Sequence, residues 1–437
     1  MRKLKIGLLR STLRVLLLTL AAAALPANAS NGPDYQHGKN SIKHAQPGRA
    51  RGNWFASWAT ASKVQSPFDP PTPAFNDVTL RQIVRVSRGG QQVRVWLTNE
   101  LGTEPLTVQS ANVALQAQAD AIKPGSKRRL FFNGERTITI APGARVLSDP
   151  VRLRVPDLAD LSISMHLPQD LSAQTSPASY HVRALQTSYY AAGDQTDSSS
   201  LDAATTTTAW FYLAAVDIRD RKAGPVIAAY GDSITDGDQR SDMEPVDLNA
   251  RYPNFLARKL LRSSNAAVIN AGISGNQVTS TFIGENMQAR LDRDVLTQTG
   301  VTHIIILGGI NDIGLPVLLG APAGASAEAL IAAHQQIAAR ARARGLVVIG
   351  GTITPSGSSA LPGYNTAATN ATRENVNAWI RGSDAYDIVV DFDALLADPQ
   401  DPSVMRADLT ADGLHPNTEG YRAMAQAVAR ALRRSQR

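Results

Sequence analysis

The sequence predicts two architectures in series: an antiparallel, jelly-roll-like β-sandwich over residues 54–222, then an α/β domain over 223–437 built on a doubly wound, five-stranded parallel sheet flanked by helices. Two observations carry this expectation. Up to about residue 213, short runs alternate apolar and polar residues with period two and are separated by turn residues, the pattern of half-buried antiparallel strands. After Pro225, short continuous apolar runs alternate with helical patterns, as buried parallel strands joined by helices do.

Residues 1–29 read as a secretory signal peptide and stand outside the fold argument. Arg2, Lys3, Lys5, Arg10 and Arg14 form a basic start, residues 15–25 an apolar stretch, and Ala27-Asn28-Ala29 a small-residue cleavage site. An uncleaved anchor is the alternative, but the apolar run is about half of the ~20 residues a spanning helix needs. Cleavage after Ala29 and export to the periplasm or medium are expected, with no stable membrane insertion. Those five residues come out of a total of 44 basic against 37 acidic, so the basicity behind a pI of about 9.6 belongs largely to the leader. Short clusters at 127–129 and 433–437 join no nucleic-acid-binding motif, and no nucleic-acid partner is expected. With no cysteine, disulfides and thiolate chemistry are excluded.

Residues 30–53 are polar and aperiodic, a flexible lead-in. Strand candidates follow at 82–86, 92–97, 137–140 and 161–165, punctuated by Gly89-Gly90, Pro124-Gly125, Asn133-Gly134 and Pro142-Gly143. The Ser/Thr/Ala-rich stretch 197–208 reads as a loop or hairpin excursion before a strand at 210–213. The parallel strands are expected at 226–230, 267–270, 303–307, 346–350 and 388–392, with helices at 254–261, 325–344 and 373–380. A last helix after Pro416 carries Tyr421, Met424, Ala425, Val428 and Leu432 on one stripe.

Open α/β sheets bind ligands beyond the carboxyl ends of their strands. Four such loops carry unusual residues. Gly231-Asp232-Ser233 follows the first strand, Gly272-Ile273-Ser274-Gly275 the second, Gly308-Gly309-Ile310-Asn311-Asp312 the third, and Asp412-Gly413-Leu414-His415 lies after the fifth. Each alone has an ordinary explanation as a turn or a helix cap. Their joint occurrence at strand ends, in this order, does not.

These blocks resemble the SGNH (GDSL) hydrolase family over roughly residues 225–435. The first block ends in Ile234 where the family's name has leucine, a swap of equal volume. Residues 54–58 and 89–95 are also similar to the N-terminal part of larger bacterial secreted members. The resemblance implies Ser233 as nucleophile, His415 as general base oriented by Asp412, and an oxyanion hole from the N–H groups of Ser233 and Gly275 with the Asn311 amide. It implies a carboxylic ester hydrolase working through an acyl-enzyme, without cofactor or metal. The seven histidines, His37, His44, His166, His181, His303, His334 and His415, show no paired ligand spacing.

Within that class the expected substrate is a short acyl ester, including acetyl groups on polysaccharide. The alternatives are a lipase or lysophospholipase, an acyltransferase, and a carbohydrate-binding protein with a retired hydrolase domain. Retention of both Ser233 and His415 speaks against the last. Residues 314–325 and 355–370, with Leu315, Val317, Leu318, Leu361 and Tyr364, are expected to form loops giving the pocket an apolar rim.

Overall fold

A computed structural model describes residues 53–222, 224–239 and 245–435; the signal peptide and nearly all of the lead-in lie outside them. The first region holds two antiparallel sheets. In one, Leu213–Asp220 lies between Asn53–Ala59 and Gly90–Thr98, and the latter also pairs with Val151–Val155 and Arg145–Leu147. In the other, Asn76–Arg85 and Asp160–Asp170 form the centre, flanked by Ser188–Ala192 on one side and Ser110–Gln118 on the other. The period-two pattern sets which face is buried: Val93, Val95 and Leu97 are buried between more accessible Gln92, Arg94 and Trp96.

The stretch expected as a loop at 197–208 is tied down by a residue far from it. Arg81 is fully buried, and its guanidinium donates to the carbonyls of Asp120 at 2.9 Å and Ser198 at 2.8 Å and to Ser164 Oγ at 2.9 Å. Residues 205–207 then add an edge strand against Ser188–Ala192.

The second region carries the parallel sheet. Its strands are Ala267–Gly272, Val226–Gly231, Val301–Leu307, Val347–Gly351 and Ile388–Val390 in spatial order, every pairing parallel. Side chains alternate between two cores. Val226, Ala228 and Tyr230 pack with Leu330, Ile337, Val376 and Ile380, whereas Ile227 and Ala229 pack with Leu256, Leu260, Tyr421 and Val428. The helices Ala327–Ala343 and Ala367–Gly382 thus cover one face, and Tyr252–Leu261 and Thr418–Ser435 the other. Both faces are buried, which is why these strands read as continuous apolar runs.

One strand is shorter than its sequence suggests. The run expected at 388–392 pairs only to Val390, because Asp391 accepts the Ala394 N–H at 3.1 Å and caps the short helix Phe392–Leu396. The chain leaves the first strand toward Ala267–Gly272 on one side and continues to Val301–Leu307 on the other. That reversal lies at the carboxyl ends of Val226–Gly231 and Val301–Leu307, where open sheets of this kind take their ligands.

Candidate active site

Ser233 begins a four-residue helix, Ser233–Asp236, directly after the first parallel strand. Asp232 caps it, accepting the Ile234 N–H at 3.0 Å. Gly231 is required at the bend, since a Cβ there would come within 2.2 Å of the Leu307 carbonyl oxygen. Burial pushes the Asp232 carboxyl up to about 7.

On the loop before the last helix, Asp412 is organised before it meets any other element. Its Oδ1 accepts the backbone N–H groups of Leu414 at 3.0 Å and His415 at 2.8 Å, and its Oδ2 lies 2.7 Å from His415 Nδ1. Burial alone would raise the Asp412 carboxyl, but the hydrogen bonds from His415 and from the Leu414 N–H hold it below the ordinary carboxylate range. A carboxylate only accepts, so Nδ1 carries the proton and Nε2 is left as acceptor. Ser233 Oγ sits 3.0 Å from that Nε2. Ser233, His415 and Asp412 thus form one hydrogen-bonded series, with Ser233 4% and His415 3% exposed.

Gly275 and Asn311 meet through the residue between them. The Asn311 amide donates one hydrogen to the Asn276 carbonyl at 3.0 Å, and its oxygen accepts the Tyr364 hydroxyl at 2.8 Å. This fixes the amide nitrogen's direction and leaves its second hydrogen without a partner among the described residues. The backbone N–H groups of Ser233 and Gly275 likewise have none there. Buried backbone donors are nearly always paired, and here the buried Ser233 and the half-buried Gly275 both leave theirs open. Gly275 adopts φ +77°, and a Cβ would meet Ile283 Cδ1 at 2.6 Å.

Several residues that hold this arrangement were not anticipated. Arg290 is buried and donates to the Gly231 carbonyl at 2.7 Å, the Ala271 carbonyl at 2.8 Å and Asn276 Oδ1 at 2.9 Å, tying together the ends of two strands and the Gly275 loop. Its charge is balanced by Asp294 at 3.0 Å, the one local signal, an Arg and an Asp four apart on a helix. Asp312 accepts the N–H groups of Val278 and Thr279, each at 2.8 Å. Asp236 Oδ2 accepts the Ser274 N–H at 3.1 Å, while its Oδ1 lies 3.1 Å from Nε2 of His181, a residue of the first region.

The expected apolar rim is revised in two respects. Residues 310–318 are helical, with Leu315 buried beneath the surface, and Tyr364 is buried with its hydroxyl committed to Asn311. Leu361 is exposed, as a rim residue would be. Among the described residues no group of three or more His, Asp or Glu is placed to hold a metal, and no helix is long and apolar enough to cross a membrane.

Residues 229–423 match the model of the GDSL-like lipase/acylhydrolase family. No curated protein matches the chain. Among solved structures, a GDSL-like lipase from Bacteroides thetaiotaomicron is 16% identical with a TM-score of 0.36, over 49% of this chain and 93% of that one. A carbohydrate acetylesterase family member from Sinorhizobium meliloti is 17% identical with a TM-score of 0.38, over 48% of this chain and 98% of that one.

Proposed function

From a chain whose residues 229–423 are a domain of the GDSL-like lipase/acylhydrolase family, we propose an exported serine esterase that cleaves short acyl esters, with acetyl groups on carbohydrate as the substrate class. In this reading residues 223–437 are the hydrolase domain, and the sandwich of residues 54–222 shapes its cleft. The observation that carries the proposal is the series Ser233–His415–Asp412 beside the unpaired N–H groups of Ser233 and Gly275.

Chemistry follows from those positions. A serine hydroxyl is a weak nucleophile until a base takes its proton. As Ser233 Oγ attacks the carbonyl carbon, its proton passes to His415 Nε2. Asp412 steadies the resulting imidazolium through Nδ1. The carbonyl oxygen becomes an oxyanion held by Ser233 N–H, Gly275 N–H and the free Asn311 hydrogen. Collapse expels the alcohol, which takes the proton back from His415, and leaves an acyl-Ser233 ester. Water, deprotonated by the same base, repeats the sequence and releases the acid.

Two features support the acetyl-carbohydrate class: the export signal read at residues 1–29 and the strand-rich region beside the site. A panel tests it. Acetate release from acetylated xylan or pectin is expected, along with hydrolysis of p-nitrophenyl esters that weakens as the acyl chain lengthens from two to twelve carbons. Best efficiency at eight carbons or more, with no acetate from any polysaccharide, would replace this reading with a lipase.

A further inference from the structure

Beside Gly275 a cleft opens whose two walls come from different regions of the chain. Phe68, Pro70, Thr72, Arg183 and Thr208 belong to the first region; Ser274, Gly275 and Ile283 belong to the second. Phe68 of this lining stands 59% exposed and meets Phe282, itself 46% exposed, edge to face with ring centroids 5.9 Å apart. Nothing among the described residues covers them, so two adjacent rings present a small apolar patch to water.

Both rings stand on anchored chain. Asp69, next to Phe68, pairs with buried Lys63, accepts the Tyr180 hydroxyl at 2.9 Å and accepts the Ser66 N–H at 2.6 Å. Ile283, next to Phe282, lies against Gly275, and its carbonyl accepts the Asn276 amide at 2.9 Å. The aromatic pair is therefore held in register with the donor loop.

We propose that this cleft is the subsite for a pyranose ring of the esterified carbohydrate, with Phe68 stacking on its C–H face, Phe282 bracing Phe68 edge-on, and the threonine hydroxyls meeting its hydroxyl edge. The proposal rests on the serine-esterase reading and adds to it the part of the substrate beyond the reacting ester. The mixed lining decides between occupants. A long acyl chain laid here would strip water from Thr72, Thr208 and the Arg183 side chain and return no hydrogen bonds. A pyranose offers an apolar face and polar edges together.

The test compares two acetyl donors, an acetylated xylo-oligosaccharide and ethyl acetate, which has no ring. In Phe68→Ala and Phe282→Ala the efficiency on the oligosaccharide relative to ethyl acetate is expected to fall about tenfold, through KM rather than kcat. An unchanged ratio, or a selective loss on p-nitrophenyl octanoate, would overturn the subsite. Calorimetric titration of Ser233→Ala with unacetylated xylo-oligosaccharide separates this from the parent reading. Binding that is lost when Phe68→Ala and Phe282→Ala are added supports the subsite even if no polysaccharide is deacetylated. Absence of binding in Ser233→Ala itself removes it even if ester hydrolysis is robust.

Discussion

Asn311 shows how much of the site is settled one residue at a time. An amide has two hydrogens and a flippable end, and here the Tyr364 hydroxyl on Oδ1 and the Asn276 carbonyl under Nδ2 together select one orientation. Asn311→Ala is expected to lower kcat by roughly 10²–10³ with little change in KM, as loss of a donor used in the transition state does. Tyr364→Phe should cost about one hydrogen bond, roughly fivefold in kcat. Equal turnover in both variants would detach the pair from catalysis. The primary residues were legible because each lies in a short block whose spacing survives in the sequence, as with Asp412 three positions before His415. Their supports were not. Tyr364 reaches Asn311 across 53 positions, Arg290 reaches Gly231 across 59 and His181 reaches Asp236 across 55, and no local pattern encodes contacts at such separations.

At the scale of elements, the helix Ala327–Ala343 shows a packing device with a pH signature. Its buried His334 lies 3.1 Å from the Gly308 carbonyl through Nε2 and 2.8 Å from the Tyr386 hydroxyl through Nδ1, so the neutral ring donates to the first and accepts from the second. Burial brings its pKa down to about 4. The folded value lies below the unfolded ~6.5, so the unfolded chain takes up the proton first. The stability this histidine contributes is complete above about pH 6.5 and is lost as pH falls toward 4, by up to about 3 kcal/mol. His334→Gln should flatten the denaturation midpoint over that window, and an unaltered slope would contradict it. Helices and parallel strands were legible wherever burial on both faces left an apolar run. Their ends were less so: hydrophobicity at Phe392 hides the Asp391 cap that stops the last strand, and the composition of 197–208 does not reveal the Arg81 guanidinium that orders it.

Across the whole molecule the two regions share more than a linker. Val268 on the edge strand of the parallel sheet donates to Ser87 Oγ at 3.0 Å, Ala56 N–H donates to the Thr299 carbonyl at 2.8 Å, and Arg293 donates to the Ser62 carbonyl at 3.0 Å. An edge that would otherwise invite pairing with another chain is covered. The same interface reaches the site, since His181 is fixed by the Ala61 carbonyl at 2.9 Å and meets Asp236, which holds the N–H of Ser274 beside Gly275. His181→Ala is expected to lower kcat by about tenfold with KM little changed, and His181→Gln to recover part of it, as a positioning role requires. A loss confined to thermal stability would make the contact merely structural. All of this presumes that Ser233 is the nucleophile, and a serine-directed fluorophosphonate tests that most directly. A single covalent adduct is expected, mapped by mass spectrometry to Ser233 in the wild type, with neither adduct nor ester hydrolysis in a Ser233→Ala variant that melts at nearly the same temperature. Labelling or hydrolysis that persists in that folded variant would contradict it.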